Sequence, residues 1–204
     1  MSKKKLLTIV LPCVLVVILV AVFLIVYFCV FAGDVYAELN KIVRKNHNEI
    51  SIKITTEQDG FTLTSRIDVK NTNGQSIVNY TIQNFAPIDA NNGSAGDEVV
   101  TYVGTVVLKD GKQVEQSGDK VDINFGDVTT LNLYFSKDNF AQVSNENGIF
   151  SAKVTAPQTF MDAPSLVCED MTVTFAYHGS AQKMIVIHYT SQGGAAVTLT
   201  YTLS

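Results

Sequence analysis

The residues of this chain that could do chemistry are three histidines, His47, His178 and His188, the cysteine Cys168, and two adjacent carboxylate pairs, Asp97-Glu98 and Glu169-Asp170. A histidine beside a carboxylate can hold a metal or relay a proton, a low-pKa cysteine can attack an electrophile, and paired carboxylates can share acid and base duties. The spacings argue against each of these. His47 and Glu49 are two apart on a predicted helix, so they point apart and cannot share a metal. His178 lies beside a turn and reads as solvated. His188 alternates with apolar residues and reads as a hydrogen-bonded core histidine. The carboxylates next to Cys168 raise a thiol pKa, so the cysteine is not expected to react. Adjacent carboxylates in a strand or turn face opposite ways. No G-x-S-x-G elbow, phosphate loop, dinucleotide fingerprint or calcium loop is present. The expectation is a protein that is not an enzyme, with no catalytic residue, metal or cofactor.

The elements that would position these residues follow from periodicity. "DVYAELNKIVRKNHNEI" puts Val35, Leu39, Ile42, Val43 and Ile50 on one stripe behind Asp34 as N-cap, predicting an amphipathic helix over about 35–48. From Ile50 the period becomes two. Ile50, Ile52 and Ile54 alternate, then Leu63, Ile67 and Val69, then Val78, Tyr80 and Ile82, with "EQDG" and "NTNGQS" as turns. "APIDANNGSAGDE", residues 86–98, is a long polar loop. "VVTYVGTVVLK" is a strand turned back at Asp110-Gly111, and two further short strands follow, the second carrying Val121, Ile123 and Phe125. "VTTLNLYF" alternates Leu131, Leu133 and Phe135, "SKDNFAQV" reads as a short helix capped by Ser136, and "GIFSAKVTA" returns to alternation. "PQTFMDAPS" is a loop held by Phe160 and Met161. The chain then closes in three strands, "DMTVTFAYH", "KMIVIHYTS" and "AVTLTYTLS", an antiparallel meander.

Upstream of all this runs an uncharged apolar stretch, residues 6–32. Its 27 residues would span about 40 Å as a helix, more than a hydrocarbon core of about 30 Å and longer than the apolar region of a cleaved signal. A retained single-pass anchor is therefore expected, with removal after Ala32 as the alternative. Lys3, Lys4 and Lys5 precede it, so the tail 1–5 is expected in the cytosol and residues 33–204 outside the cell membrane. That outer part carries 12 basic and 19 acidic residues, a balance of −7, which argues against nucleic acid and anionic lipid headgroups as electrostatic partners. With Cys168 as its one cysteine it can form no internal disulfide, which fits a bacterial envelope protein.

One strand of the closing meander bears on function. "KMIVIHYTS" places Met184, Val186 and His188 on one face and Ile185, Ile187 and Tyr189 on the other, so both faces are expected to need cover. An apolar cavity lined by Phe175, Tyr177, Ile185, Ile187, Tyr189 and Tyr201 would supply it. The parity of Tyr201 depends on the turn: a Gly193-Gly194 turn puts it on the side of His188, a three-residue turn with Tyr189.

The succession of an amphipathic helix, long antiparallel strands, the irregular "NLYFSKDNFAQVSNENGIFSAKVTAPQTF" and the closing "MTVTFAYHGSAQKMIVIHYTSQGGAAVTLTYTLS" resembles the lipoprotein-carrier superfamily of bacterial envelopes, the LolA-like and LppX-like half-barrels. The resemblance covers roughly residues 34–204 and is one of pattern, without a diagnostic motif. It implies an α+β fold in which a curved antiparallel sheet packs on helices and encloses a cavity for acyl chains. Members of that family are soluble or lipid-tethered, so a helical anchor departs from it. The function expected is a membrane-anchored, non-catalytic outer domain binding a lipid or other apolar ligand. The alternative is a protein-interaction module of the cell envelope, with an envelope protein as partner and polar loop tips carrying the contact.

Overall fold

The computed structural model describes residues 34–85, 99–178 and 182–204. The expected anchor at 6–32 and the polar loop at 86–98, with its Asp97-Glu98 pair, lie outside the described residues. Among those described, no helix is long and apolar enough to cross a membrane. The chain divides into two units, Met1–Glu38 and Leu39–Ser204. Helix α1 (Val35–Val43) opens in the first, where the Asp34 side chain caps it by accepting from the Tyr36 N–H at 3.0 Å, and closes in the second.

The second unit is dominated by ten strands. These are β1 (Glu49–Gln58), β2 (Phe61–Thr72), β3 (Gln75–Phe85), β4 (Val99–Lys109), β5 (Lys112–Gly118), β6 (Phe140–Glu146), β7 (Ile149–Val154), β8 (Cys168–Ala176), β9 (Lys183–Ser191) and β10 (Ala196–Leu203). They form one open antiparallel sheet in the order β5-β4-β3-β2-β1-β10-β9-β8-β7-β6. Two five-strand meanders thus meet at a central β1–β10 pair, which Ser204 extends by exchanging backbone hydrogen bonds with Glu49. Local chemistry dictates the hairpins. Asp59-Gly60, Asn73-Gly74, Asp110-Gly111 and Asn147-Gly148 each turn the chain in two residues of positive φ, the backbone that Asx-Gly pairs adopt most readily and that matches strand twist. The β9–β10 turn instead has three residues, Gln192 to Gly194, so Tyr201 lies on the side of Tyr189.

Direct cross-strand partners share a face, and the register therefore separates two surfaces. One row runs Tyr80–Ile67–Ile52–Tyr201–Ile185–Phe175–Phe150 across seven strands. This is the inner face, and it carries the core. A row of the opposite face runs Thr64–Thr55–Thr198–His188–Thr172–Lys153. Met184 and His188 are accordingly exposed, and the His188 Nδ1 is 2.8 Å from the Thr198 hydroxyl. The expectation that both faces of β9 need cover, and that His188 is a core residue, is corrected here. Threonines on β8 and β10 flank the apolar side chains of that face and make it a solvent face.

The inner face is covered by the segment 119–139, which crosses from edge strand β5 to edge strand β6. Phe125, in a 3-10 turn (Phe125–Val128), stacks on Tyr80 with ring centroids 4.9 Å apart. Phe135 meets Phe140, Phe150, Phe160 and Phe175 at 5.3–5.8 Å. Leu133 and Phe135 are buried although they belong to no strand, and residues 121–124, predicted as strand, have none either. A segment lying across a sheet can satisfy alternation without a ladder. The helix predicted from Ser136 is a 3-10 turn (Lys137–Asn139) that Ser136 does cap, after which Phe140 begins β6. Phe160 closes the short helix α2 (Pro157–Phe160) with no exposed surface. Each such burial contributes about 1.5–3 kcal/mol.

Helix α1 ends at Val43, five residues before the predicted boundary. There the imidazole Nε2 of His47 donates to the Ile42 carbonyl at 2.9 Å, turning the chain back over the last helical turn.

Candidate functional site

The six residues expected to line a cavity all occupy the inner face, but they differ in access. Phe175, Ile185 and Ile187 have no accessible surface, so no void large enough for a water molecule borders them. They are packed core, and the Phe175 ring lies against that of Phe135 at 5.7 Å. Tyr177 is buried as well, its ring edge-on to Phe175 at 5.9 Å and its hydroxyl donating to the Asn145 side-chain oxygen at 2.7 Å. Tyr189 and Tyr201 are only partly buried. The structure therefore groups four of the six in the interior and leaves two tyrosines at its margin.

These two phenols share an apolar setting. Burial, with the neighbouring Tyr189 phenol adding to it, pushes the Tyr201 hydroxyl up to about 12. No hydrogen bond engages that hydroxyl among the described residues, where every fully buried side-chain nitrogen and oxygen has a partner; it therefore keeps a trace of accessible surface. Tyr189 is raised by burial and by the nearby Cys168, whose pairing with Ser191 sets it on the same face. The thiol of Cys168 is itself raised, by burial rather than by the adjacent carboxylates, and stays protonated near neutral pH. Two neutral phenols and a neutral thiol offer hydrogen bonds but neither a base nor a nucleophile.

The partly exposed inner face extends away from these tyrosines onto the first meander. Leu63 lies in the row Leu63–Thr56–Val197–Tyr189, and Ile54 in the row Ile54–Leu199–Ile187. Ile82 pairs with Tyr102. All four side chains, Ile54, Leu63, Ile82 and Tyr102, keep accessible surface, whereas Ile50, Val69, Val78 and Val106 at the other end of the same strands are buried. The alternation of Ile54, Leu63 and Ile82 is visible in the sequence. Their incomplete cover is not, because it depends on where the segment 119–139 crosses.

The other candidate residues stay dispersed. Asp170 sits exposed at a bulge with positive φ and pairs with Lys153 at 3.1 Å, apart from any acid-base partner. His178 is exposed and its ring lies 4.6 Å from that of Tyr177. His47 is buried, beyond the helix rather than on it. Among the described residues no three histidine, cysteine or carboxylate side chains are placed to hold a metal ion. No protein-family model, curated protein or solved structure matches this chain.

Proposed function

We propose that this chain is a single-pass membrane protein of the bacterial envelope whose non-catalytic outer domain, a curved half-barrel of the lipoprotein-carrier kind, holds an apolar ligand such as a lipid chain against its inner face. The observation that supports this reading is the uneven cover of that face. Ile54 and Leu63, in rows that reach Ile187 and Tyr189, and Ile82 and Tyr102, further along the same face, remain partly exposed, on a surface buried at its other end. Ligand contact falls to Ile54, Leu63, Ile82 and Tyr102 with the Tyr189 and Tyr201 phenols; Phe175, Tyr177, Ile185 and Ile187 serve as the packed floor of the second meander. The unpartnered Tyr201 hydroxyl suits the polar end of an acyl chain.

The test is mass spectrometry of lipids extracted from the full chain produced in a bacterial membrane, compared with the double variant Leu63→Gln, Ile82→Gln. A defined lipid in near-stoichiometric amount that the variant loses supports the reading. Equal recovery from both proteins, or a repeated blank, overturns it. Anchoring is tested by protease added outside intact cells, which should digest residues 33–204.

A second reading, an interaction module of the envelope, draws support from the free sheet edges. Edge strands β5 and β6 are almost wholly exposed and carry the exposed Val114 and Val143. A blank in the lipid extraction together with a protein that co-purifies from the native membrane would favour it.

A further inference from the structure

A separate cleft of about 610 Å³ opens at the end of the sheet where α1 stops, remote in sequence and in lining from the inner-face tyrosines. Its walls are the loop after α1, the β2–β3 turn, the β4–β5 turn and the middle of the crossing segment, Thr129 to Leu131. Three features set it apart.

The first is charge. Arg44 and Lys45 line it, and Asp110 is the one carboxylate among the lining residues, in a domain whose balance is −7. The Arg44 guanidinium lies over the Tyr134 ring, 5.7 Å from its centroid. The second is rigidity. The Asn71 side chain donates to the His47 carbonyl at 2.9 Å and accepts from the Ser76 hydroxyl at 2.6 Å, while the Asn71 N–H donates to the Asn48 carbonyl at 2.8 Å. These bonds hold the loop to the β2–β3 turn, so the walls are fixed before anything binds. The third is His47. A carbonyl only accepts, so the bond to Ile42 assigns the proton to Nε2. Nδ1 has no partner, and every fully buried side-chain nitrogen among the described residues has one; Nδ1 is therefore accessible, and His47 lines the cleft.

We infer that this cleft is a binding site for a phosphorylated polyol. Two cations on the rim match a phosphate, and the side chains of Asn46, Asn48, Thr72 and Thr130, which make no hydrogen bond within the wall, match hydroxyls together with the His47 ring nitrogen. A purely apolar ligand would leave those groups unsatisfied, and a polyanion would be repelled by the surrounding acidic domain. The site stands apart from the lipid reading of the inner face, and either can fail alone.

The experiment is calorimetric titration of the full-length chain, held in a polyoxyethylene detergent, with glycerol 3-phosphate, inorganic phosphate and glycerol. Glycerol 3-phosphate is expected to saturate, to bind more tightly than inorganic phosphate, and to be unmatched by glycerol. The double variant Arg44→Gln, Lys45→Gln should weaken it by roughly tenfold or more, the scale of a lost charge-assisted hydrogen bond. Both side chains are exposed, and the variant loses the Arg44–Tyr134 contact at about 0.5–1 kcal/mol, so it should still unfold cooperatively with a midpoint only slightly below the parent's. Absence of saturation, equal binding of glycerol or of inorganic phosphate, or unchanged affinity in the variant overturns the assignment. Adding phosphatidylglycerol to the detergent separates the sources. Displacement of glycerol 3-phosphate identifies a lipid headgroup, and undisturbed binding identifies a soluble phosphopolyol; both outcomes support the site.

Discussion

Asn40 on α1 clamps the backbone of Phe135 from both sides. Its side-chain nitrogen donates to the Phe135 carbonyl at 2.6 Å, and its side-chain oxygen accepts from the Phe135 N–H at 3.0 Å. The two residues are 95 apart in sequence, and no strand ladder reaches this stretch of the crossing segment. One amide thus substitutes for a β-bridge and seats the Phe135 ring among four others. Asn40→Ala strands two backbone groups at once. At about 1–3 kcal/mol for each group left unmade, the loss in stability should reach about 2–6 kcal/mol, read as a lowered urea midpoint with little change in slope. A loss under about 1 kcal/mol would show that the clamp does not hold the segment.

Tyr80 lies directly across the ladder from Gly104, and its hydroxyl donates to the Asp119 carbonyl, which ties the start of the crossing segment to the sheet. A Cβ at Gly104 would run into the Tyr80 ring tip and come within 2.7 Å of the Ser117 carbonyl. Gly104→Ala should therefore cost about 1–3 kcal/mol through overpacking, and more than Tyr80→Phe, which removes the bond to Asp119 and a long one at 3.4 Å from the Gln116 side chain, together worth about 1 kcal/mol. Chemical denaturation of the two variants gives the ranking; the reverse order would contradict the packing described.

The Tyr201 phenol, pushed up to about 12, predicts an alkaline signature. A group whose folded pKa lies above its unfolded value, about 10 for tyrosine, leaves stability intact below the unfolded value and lowers it as pH rises through the folded one. Stability should thus fall between about pH 10 and 12 by up to about 2–3 kcal/mol on account of this residue. Tyr201→Phe should remove that component, so the difference between the two proteins' unfolding free energies must change across this window. A constant difference would mean that the phenol is as well solvated folded as unfolded.

β10 pairs on both sides, with β1 and with β9, whereas β5 pairs only with β4. Thr200→Pro removes a donor and imposes its φ in the middle of the central strand, at about 3 kcal/mol or more, so no cooperative unfolding transition is expected. Val114→Pro falls where the β4–β5 register shifts at the sheet edge, and should still yield a folded protein. Circular dichroism and thermal melts distinguish the two; similar behaviour would deny β10 its central place.

Much of the architecture can be read along the chain. Alternation finds the strands that carry Ile50 to Ile54, Ile67 and Val69, and Val78 to Ile82, and Asx-Gly pairs mark the two-residue turns between them. Three features are legible only in part. The stripe of α1 runs on past Val43 in the sequence, but the His47 ring closes the helix by a contact that periodicity does not encode. Leu131, Leu133 and Phe135 alternate like a strand and have no ladder, because alternation records burial on one side and not hydrogen bonding. Asn40 and Gly104 look unremarkable in sequence, and their importance comes from partners far along the chain.

Of the candidate lining residues, alternation put Ile185, Ile187 and Tyr189 on one face but left the face of Tyr201 open until the three-residue turn fixed it, and access to that face was settled elsewhere. Phe175, Ile185 and Ile187 are fully buried, Phe175 against the Phe135 ring, while Tyr189 and Tyr201 keep accessible surface. The composition and alternation of the chain by themselves determined that it builds long antiparallel strands and carries an acidic balance. Only the tertiary structure decided that β1 and β10 meet at the centre, that the face carrying His188 belongs to solvent, and where the inner face stays open. The reason is physical: whether a strand face is wet or dry is set by the side chains of neighbouring strands and by what crosses above them, and a linear pattern contains neither.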